Sequence, residues 1–385
     1  MKLWITVSIG LLIHASALCQ GIEFAELPWK DALAKASAEN RLIFVDAYTT
    51  WCGPCKMMDR NVFPLPQVGD FFNRHFINLK MDMEKGEGPA LAKVYQVNAY
   101  PSFLFIDGQG QLVHKGVGYC EADDFIALAR QAQDSDHNLL AMRRRYEAGE
   151  RNPQFLYDYA NKLYDIHDSA FVSVTIEYLN GQKDWNTPAN LDLIYKTSDA
   201  TDSPMFDYLI QNKDLFIEHL GSRAVLGKID GLTTNAIYTA HLTGNYDPLL
   251  ELFEKMYPGK GLQMVEQVQM NYYAESENYS AYAKAAIEYY DRYPAESWEE
   301  LNEAAWLFTT LVDDPAQLKH ALKWVRQSIR MDSNYYNHDT LALLLYKLGK
   351  RKKAIKAAKK AIDIARRTGE DYSSTENWLE DIRRK

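Results

Sequence analysis

The chain has 385 residues, of which 47% are hydrophobic and 25% charged, a globular composition long enough for two or three structural units. A formal net charge of -9 excludes the basic footprint that nucleic-acid binding requires, and four cysteines in this length exclude a disulfide-stapled scaffold.

Residues 1–19, MKLWITVSIGLLIHASALC, read as a signal peptide: Lys2 supplies the charged start, an apolar run spans Leu3 to Leu18, and Ala15, Ser16 and Ala17 are small. Cleavage after Cys19 puts Gln20 at the mature start. The apolar run is shorter than the roughly 20 residues of a spanning helix, and no later segment is apolar enough to span, so the mature chain is expected to carry no transmembrane segment. The expected location is exported and periplasmic. A lipid anchor on Cys19 is the alternative, against which stands the bulky Leu18 beside it.

Trp29, Ala32, Leu33 and Ala36 recur at helical spacing, and Leu42-Ile43-Phe44-Val45 then forms an apolar strand that ends at Asp46. A second strand, Phe76 to Met81, leads through Asp82 and a Gly86/Gly88 loop to a helix opened by Pro89. Two strands, Ser102 to Ile106 and Gln111 to Lys115, flank the hairpin turn Asp107-Gly108-Gln109-Gly110. An amphipathic helix from Glu121 to Gln133 turns Phe125, Ile126, Leu128 and Ala129 inward.

Between the first strand and the next helix stands TWCGPCK, Thr50 to Lys56. Cys52 and Cys55, three positions apart, fall on one face of a first helical turn, and Pro54 suits that turn because its missing N–H has no helical partner to lose. A bond closing so small a loop constrains little of the unfolded chain, so its use is as a switch rather than a staple. Unpaired N–H groups and the helix dipole favour the thiolate there, which makes Cys52 the attacking sulfur and Cys55 the resolving one. A zinc site needs two more ligands, and no second CxxC, HxxxH or Cys/His pair occurs, so no metal is expected. Asp46, ending an apolar strand six residues before Cys52, is costly to bury without a task; proton exchange with Cys55 is one, and a solvent-facing strand end is the alternative.

VDAYTTWCGPCK resembles the active-site stretch of the thioredoxin family, with Asp46 at the buried-aspartate position, Tyr48 and Trp51 at the two aromatic positions, and Cys52-Gly53-Pro54-Cys55 intact. Ala99-Tyr100-Pro101-Ser102 resembles the family's cis-proline segment, which implies that Tyr100 and Pro101 line a substrate groove together with Gly118. The resemblance covers about Glu23 to Gln133. It implies an α/β thioredoxin fold, a central mixed sheet with flanking helices, over residues 20–134. Two departures stand out. Counting back from Asp82, the family's active-site lysine position falls on Asn78, with Lys80 on the same strand face as a substitute; the helix-bending proline is replaced in the region of Asp59 and Arg60. Cys120, two residues past Gly118, reads as a small buried hydrophobe or as a third thiol near the groove.

After the charged linker Asp134-Ser135-Asp136-His137, residues 138–385 read as an all-α domain. Ala342, Ala354 and Ala361, at spacings of twelve and seven, resemble a tetratricopeptide helix hairpin, and Ala321-Leu322-Lys323-Trp324 matches Ala354-Ile355-Lys356-Ala357 at an offset of 33. Such stacks present concave surfaces to clients or partner domains, or simply bury one another. Lys347 to Arg367 holds ten basic residues against Asp363 alone, as a solvated helix face does. The resemblance implies a thiol–disulfide oxidoreductase that reduces client protein disulfides, recharged by an upstream thiol donor such as a membrane reductase, with no separate cofactor. The alternatives are a disulfide isomerase or oxidant, and a tetratricopeptide-like binding module with a secondary redox role.

Overall fold

The computed structural model describes residues 21–384, so the signal peptide expected at residues 1–19 lies outside the described residues. Nine elements follow in order: α1 (Trp29–Glu39), β1 (Leu42–Tyr48), α2 (Gly53–Asn61), α3 (Pro66–His75), β2 (Phe76–Asp82), α4 (Gly88–Val94), β3 (Ser102–Ile106), β4 (Leu112–Val117) and α5 (Ala122–Gln133). The sheet order is β2-β1-β3-β4, with β1 parallel to β2 and antiparallel to β3, and β3 antiparallel to β4.

Helices cover both faces of β1, so it reads as a continuous apolar run rather than an alternating one. Ile43, Val45 and Ala47 face Ala32 and Ala36 of α1 and Leu91 at α4. Phe44 points the other way, into a cluster with Met58 of α2, Phe72 of α3 and Phe125 of α5. Phe72 stacks on Phe125 with ring centroids 4.5 Å apart and meets Phe44 edge-on at 4.8 Å. By the same alternation, Asp46 lies on the Phe44 face. Past β3, the Asp107 carboxylate accepts the N–H groups of Gln109 and Gln111, and Gly110 takes φ 81°, which closes the hairpin.

Helix α3 is an addition to the elements expected from the sequence. Its stretch PQVGDFFNRH is short and interrupted by Gly69 and Asp70, features of a loop; the glycine is there because a Cβ would stand 2.0 Å from the carbonyl oxygen of Gly21.

The first compact unit continues to Ser198 through α6 (Leu139–Glu147), α7 (Pro153–Asp165), α8 (Phe171–Asn180) and α9 (Pro188–Thr197). His114 of β4, 1% exposed, accepts the N–H of Leu139 at 3.1 Å, which fastens the start of α6 to the edge strand.

Among the described residues, eleven further helices, α10 to α20, run from Pro204–Gln211 to Ser373–Arg384. Nearly all of this region forms the second compact unit. In it α18 (Tyr335–Lys347) turns through Leu348, Gly349 and Lys350 into α19 (Arg351–Thr368), and Ala342, Ala354 and Ala361 are fully buried where the two helices meet. The lysines and arginines of α19 line its exposed side, opposite this alanine stripe.

Replacing Phe72 by alanine is expected to cost about 3–5 kcal/mol. Hydrogen exchange of the intact chain reads this as lost protection in β1, β2 and β3, with α18 and α19 unchanged.

Candidate active site

Strand β1 ends at Tyr48, and four residues later Cys52 stands at the N-cap of α2, extended at φ -68° and ψ 112°. Its Sγ accepts the backbone N–H of Cys55 at 3.1 Å, so a sulfur occupies the place where a serine or aspartate oxygen usually caps a helix. Pro54 sits in the first turn, where no N–H is needed. Cys52 and Cys55 are joined as a disulfide, each 3% exposed. Trp51 beside them is 65% exposed; its Nε1 donates to Glu84 at 2.9 Å, and its ring meets Tyr100 edge-on at 5.8 Å.

Tyr100 precedes Pro101 across a cis peptide bond. The Pro101 carbonyl accepts the Gly118 N–H at 2.9 Å, and Gly118 has φ 90° with open space where a Cβ would be. Trp51, Tyr100, Pro101 and Gly118 are thus linked in sequence across three loops.

Beneath α2, Asp46 is 1% exposed, and its Oδ1 has no hydrogen-bond partner. Burial pushes its pKa up to about 7, partly offset by Lys80 and reinforced by the negative charge of Asp59. Lys80 stands opposite Asp46 in the β1–β2 register, with Nζ 3.7 Å from Oδ2. The same ammonium pairs with Asp59 of α2 and lies 5.0 Å from the centre of the Tyr48 ring. The lysine facing the buried aspartate is therefore Lys80 itself. Asn78 stands opposite Phe44 two pairs earlier, where its amide donates to Glu23 and Asn73.

Asp59 is the member of this cluster that the sequence reading did not assign. Its signal was available: four residues past Cys55, it falls on the same side of α2 as that cysteine. Cys120 is half-buried against the phenylalanine cluster, and burial, then Asp124 and Glu121, push its thiol up to about 11. Both effects favour the protonated thiol over the nucleophilic thiolate.

Residues 29–133 match the family model described as a thioredoxin-like domain. A thioredoxin-like protein of Synechocystis is 38% identical over 84 residues, 22% of this chain and 74% of that protein. The thiol:disulfide interchange protein DsbD of Pseudomonas fluorescens is 29% identical over 107 residues, 27% of this chain but only 18% of DsbD. Among solved structures, a candidate disulphide-isomerase from Bacteroides thetaiotaomicron is 49% identical, covering 30% of this chain and 96% of that one at a TM-score of 0.29. With a cysteine pair at a helix start and a relative matched over most of its length, the chain belongs to the thioredoxin-like family of disulfide oxidoreductases.

Proposed function

We propose that the protein is an exported protein-disulfide reductase that works through Cys52 and Cys55, with Asp46 as the base for the resolving thiol. The observation that carries this reading is the Cys52–Cys55 disulfide at the N-terminus of α2, over the face of β1 that holds Asp46. In the reduced protein the Cys52 thiolate attacks one sulfur of a client disulfide, and the other client sulfur leaves as a thiolate. Cys55 then gives its proton to Asp46 and attacks Cys52 Sγ. That step restores the internal disulfide and releases the first client sulfur, so two electrons have passed to the client.

An upstream thiol donor, such as a membrane reductase, has to return those electrons. Gly53-Pro54 is the dipeptide of thioredoxin, whose potential of about -270 mV favours reduction over oxidation. Tyr100, Pro101 and Gly118 form the groove in which the client strand lies, and the contact between Trp51 and Tyr100 supports this by joining the groove to the cysteine loop. Export rests on residues 1–19, and among the described residues no helix is long and apolar enough to cross a membrane. The helical region after residue 138 holds clients or partner domains near the dithiol.

Replacing Cys55 by serine tests the reductase reading: the variant is expected to accumulate client proteins disulfide-linked to Cys52, and their absence refutes it. A Cys52–Cys55 potential near about -120 mV, that of the oxidant DsbA, in place of one near about -270 mV would refute the direction.

Asp46 binds its proton more tightly folded than unfolded, so it stabilises the protein fully below about pH 4 and progressively less as pH rises through about 7. Asp46→Asn is expected to remove this loss, on the order of 4 kcal/mol at pH 8 by urea denaturation, and to slow resolution of the mixed disulfide about a hundredfold. In stopped-flow turnover, the inflection near pH 7 is expected to move to lower pH in Asp59→Asn and to higher pH in Lys80→Met. Shifts of the same sign in both variants would contradict the assignment.

A further inference from the structure

On the opposite face of the sheet from Asp46, a cavity of about 480 Å³ opens between the edge strand β4, the end of α4 and the helices α6 and α7. Lys115 enters it from β4, where it pairs with Leu104, a residue packed on the α1 and α4 side. The lysine is 4% exposed, and its ammonium donates to the Gln96 carbonyl at 2.7 Å. An ammonium has three N–H donors, so this bond leaves two. Arg143 of α6 borders the same space and donates to Asp168 at 2.9 Å. The second oxygen of Asp168 accepts the Ala170 N–H at 3.0 Å, so both oxygens of the one facing carboxylate are engaged.

Lys115 and Arg143 thus bring two positive charges against one negative, with N–H donors in surplus. Burial holds the Lys115 pKa below its ordinary value, Asp168 partly offsets this and Arg143 adds to it. An unbalanced buried ammonium is costly unless something else in the site needs it. The complement is an anion of unit charge with two adjacent acceptor oxygens. Val94, which is exposed, and the half-buried Leu112 supply apolar surface at the cavity's edge, which suits an organic tail better than the hydration shell of an inorganic dianion.

We propose that this cavity binds a small organic monocarboxylate, its carboxylate held between Lys115 and Arg143 and its tail against Val94 and Leu112. The site lies across the sheet from the dithiol and needs neither cysteine, so it stands or falls independently of the redox reading.

Titration calorimetry of the full-length mature chain with hexanoate and benzoate, at constant ionic strength, tests the proposal. Binding of at least one is expected, together with weaker or no binding of benzamide and sulfate. Lys115→Met and Arg143→Gln are each expected to lower the affinity at least about tenfold, the loss of one charge-assisted hydrogen bond. Lys115→Met is also expected to melt no lower than the parent, since an isosteric apolar side chain removes a buried charge. Arg143, half-exposed on its helix, supplies a second variant that does not disturb the core. Absence of heat with both carboxylates, equal binding of benzamide or sulfate, or unchanged affinity in both variants overturns the proposal.

Discussion

A helix that begins directly after a buried central strand has to satisfy its first N–H groups within a few residues of chain. Here the cap is the sulfur of Cys52, which accepts the Cys55 N–H. That single hydrogen bond joins the chemistry to the fold. It puts the sulfur where the helix dipole favours negative charge, and it places the second cysteine in the first helical turn. The capping bond depends in turn on β1, whose Phe44 face holds α2 in place through Met58. Loss of the phenylalanine packing would therefore loosen the cap before it broke any covalent bond.

The same face carries a charge problem. Asp46 has one unpaired oxygen, and its nearest cation is shared with Asp59. A carboxylate in this position is easier to bury protonated than ionised. Under the proposed mechanism that cost has a use, because a group that exchanges its proton near 7 suits thiol chemistry. Lys80 and Asp59 act on Asp46 in opposite directions, which sets the pH at which the proton moves.

Much of this arrangement was legible in the sequence because the signals are local. The run Leu42 to Val45, the Asp107 turn and the Cys52/Cys55 spacing each specify an element from neighbouring residues alone. The site's second carboxylate was not local in that sense. Asp59 reaches Lys80 only once α2 lies across β2, and Lys80 faces Asp46 because the pairing runs Leu42 to Phe76 onward. Counting along one strand put the family's lysine position at Asn78 and offered Lys80 as its substitute; the register between two strands puts Lys80 opposite Asp46. Helix α3 was hidden for a related reason: Gly69 weakens the helical pattern, and its purpose is a contact with Gly21, distant in sequence. Likewise His114 gave no sign of fastening α6 to β4, because a lone histidine in a strand has no partner visible in the linear chain.

The most direct test of the account is the acidity of Cys52 in the reduced protein, measured as the pH dependence of its alkylation rate in a Cys120→Ala background. A sulfur capping α2 should titrate well below the value of about 8.5 for a free cysteine. Half-maximal reactivity at or above about 8.5 would show that the helix start does not stabilise the thiolate, and would contradict the account at its centre.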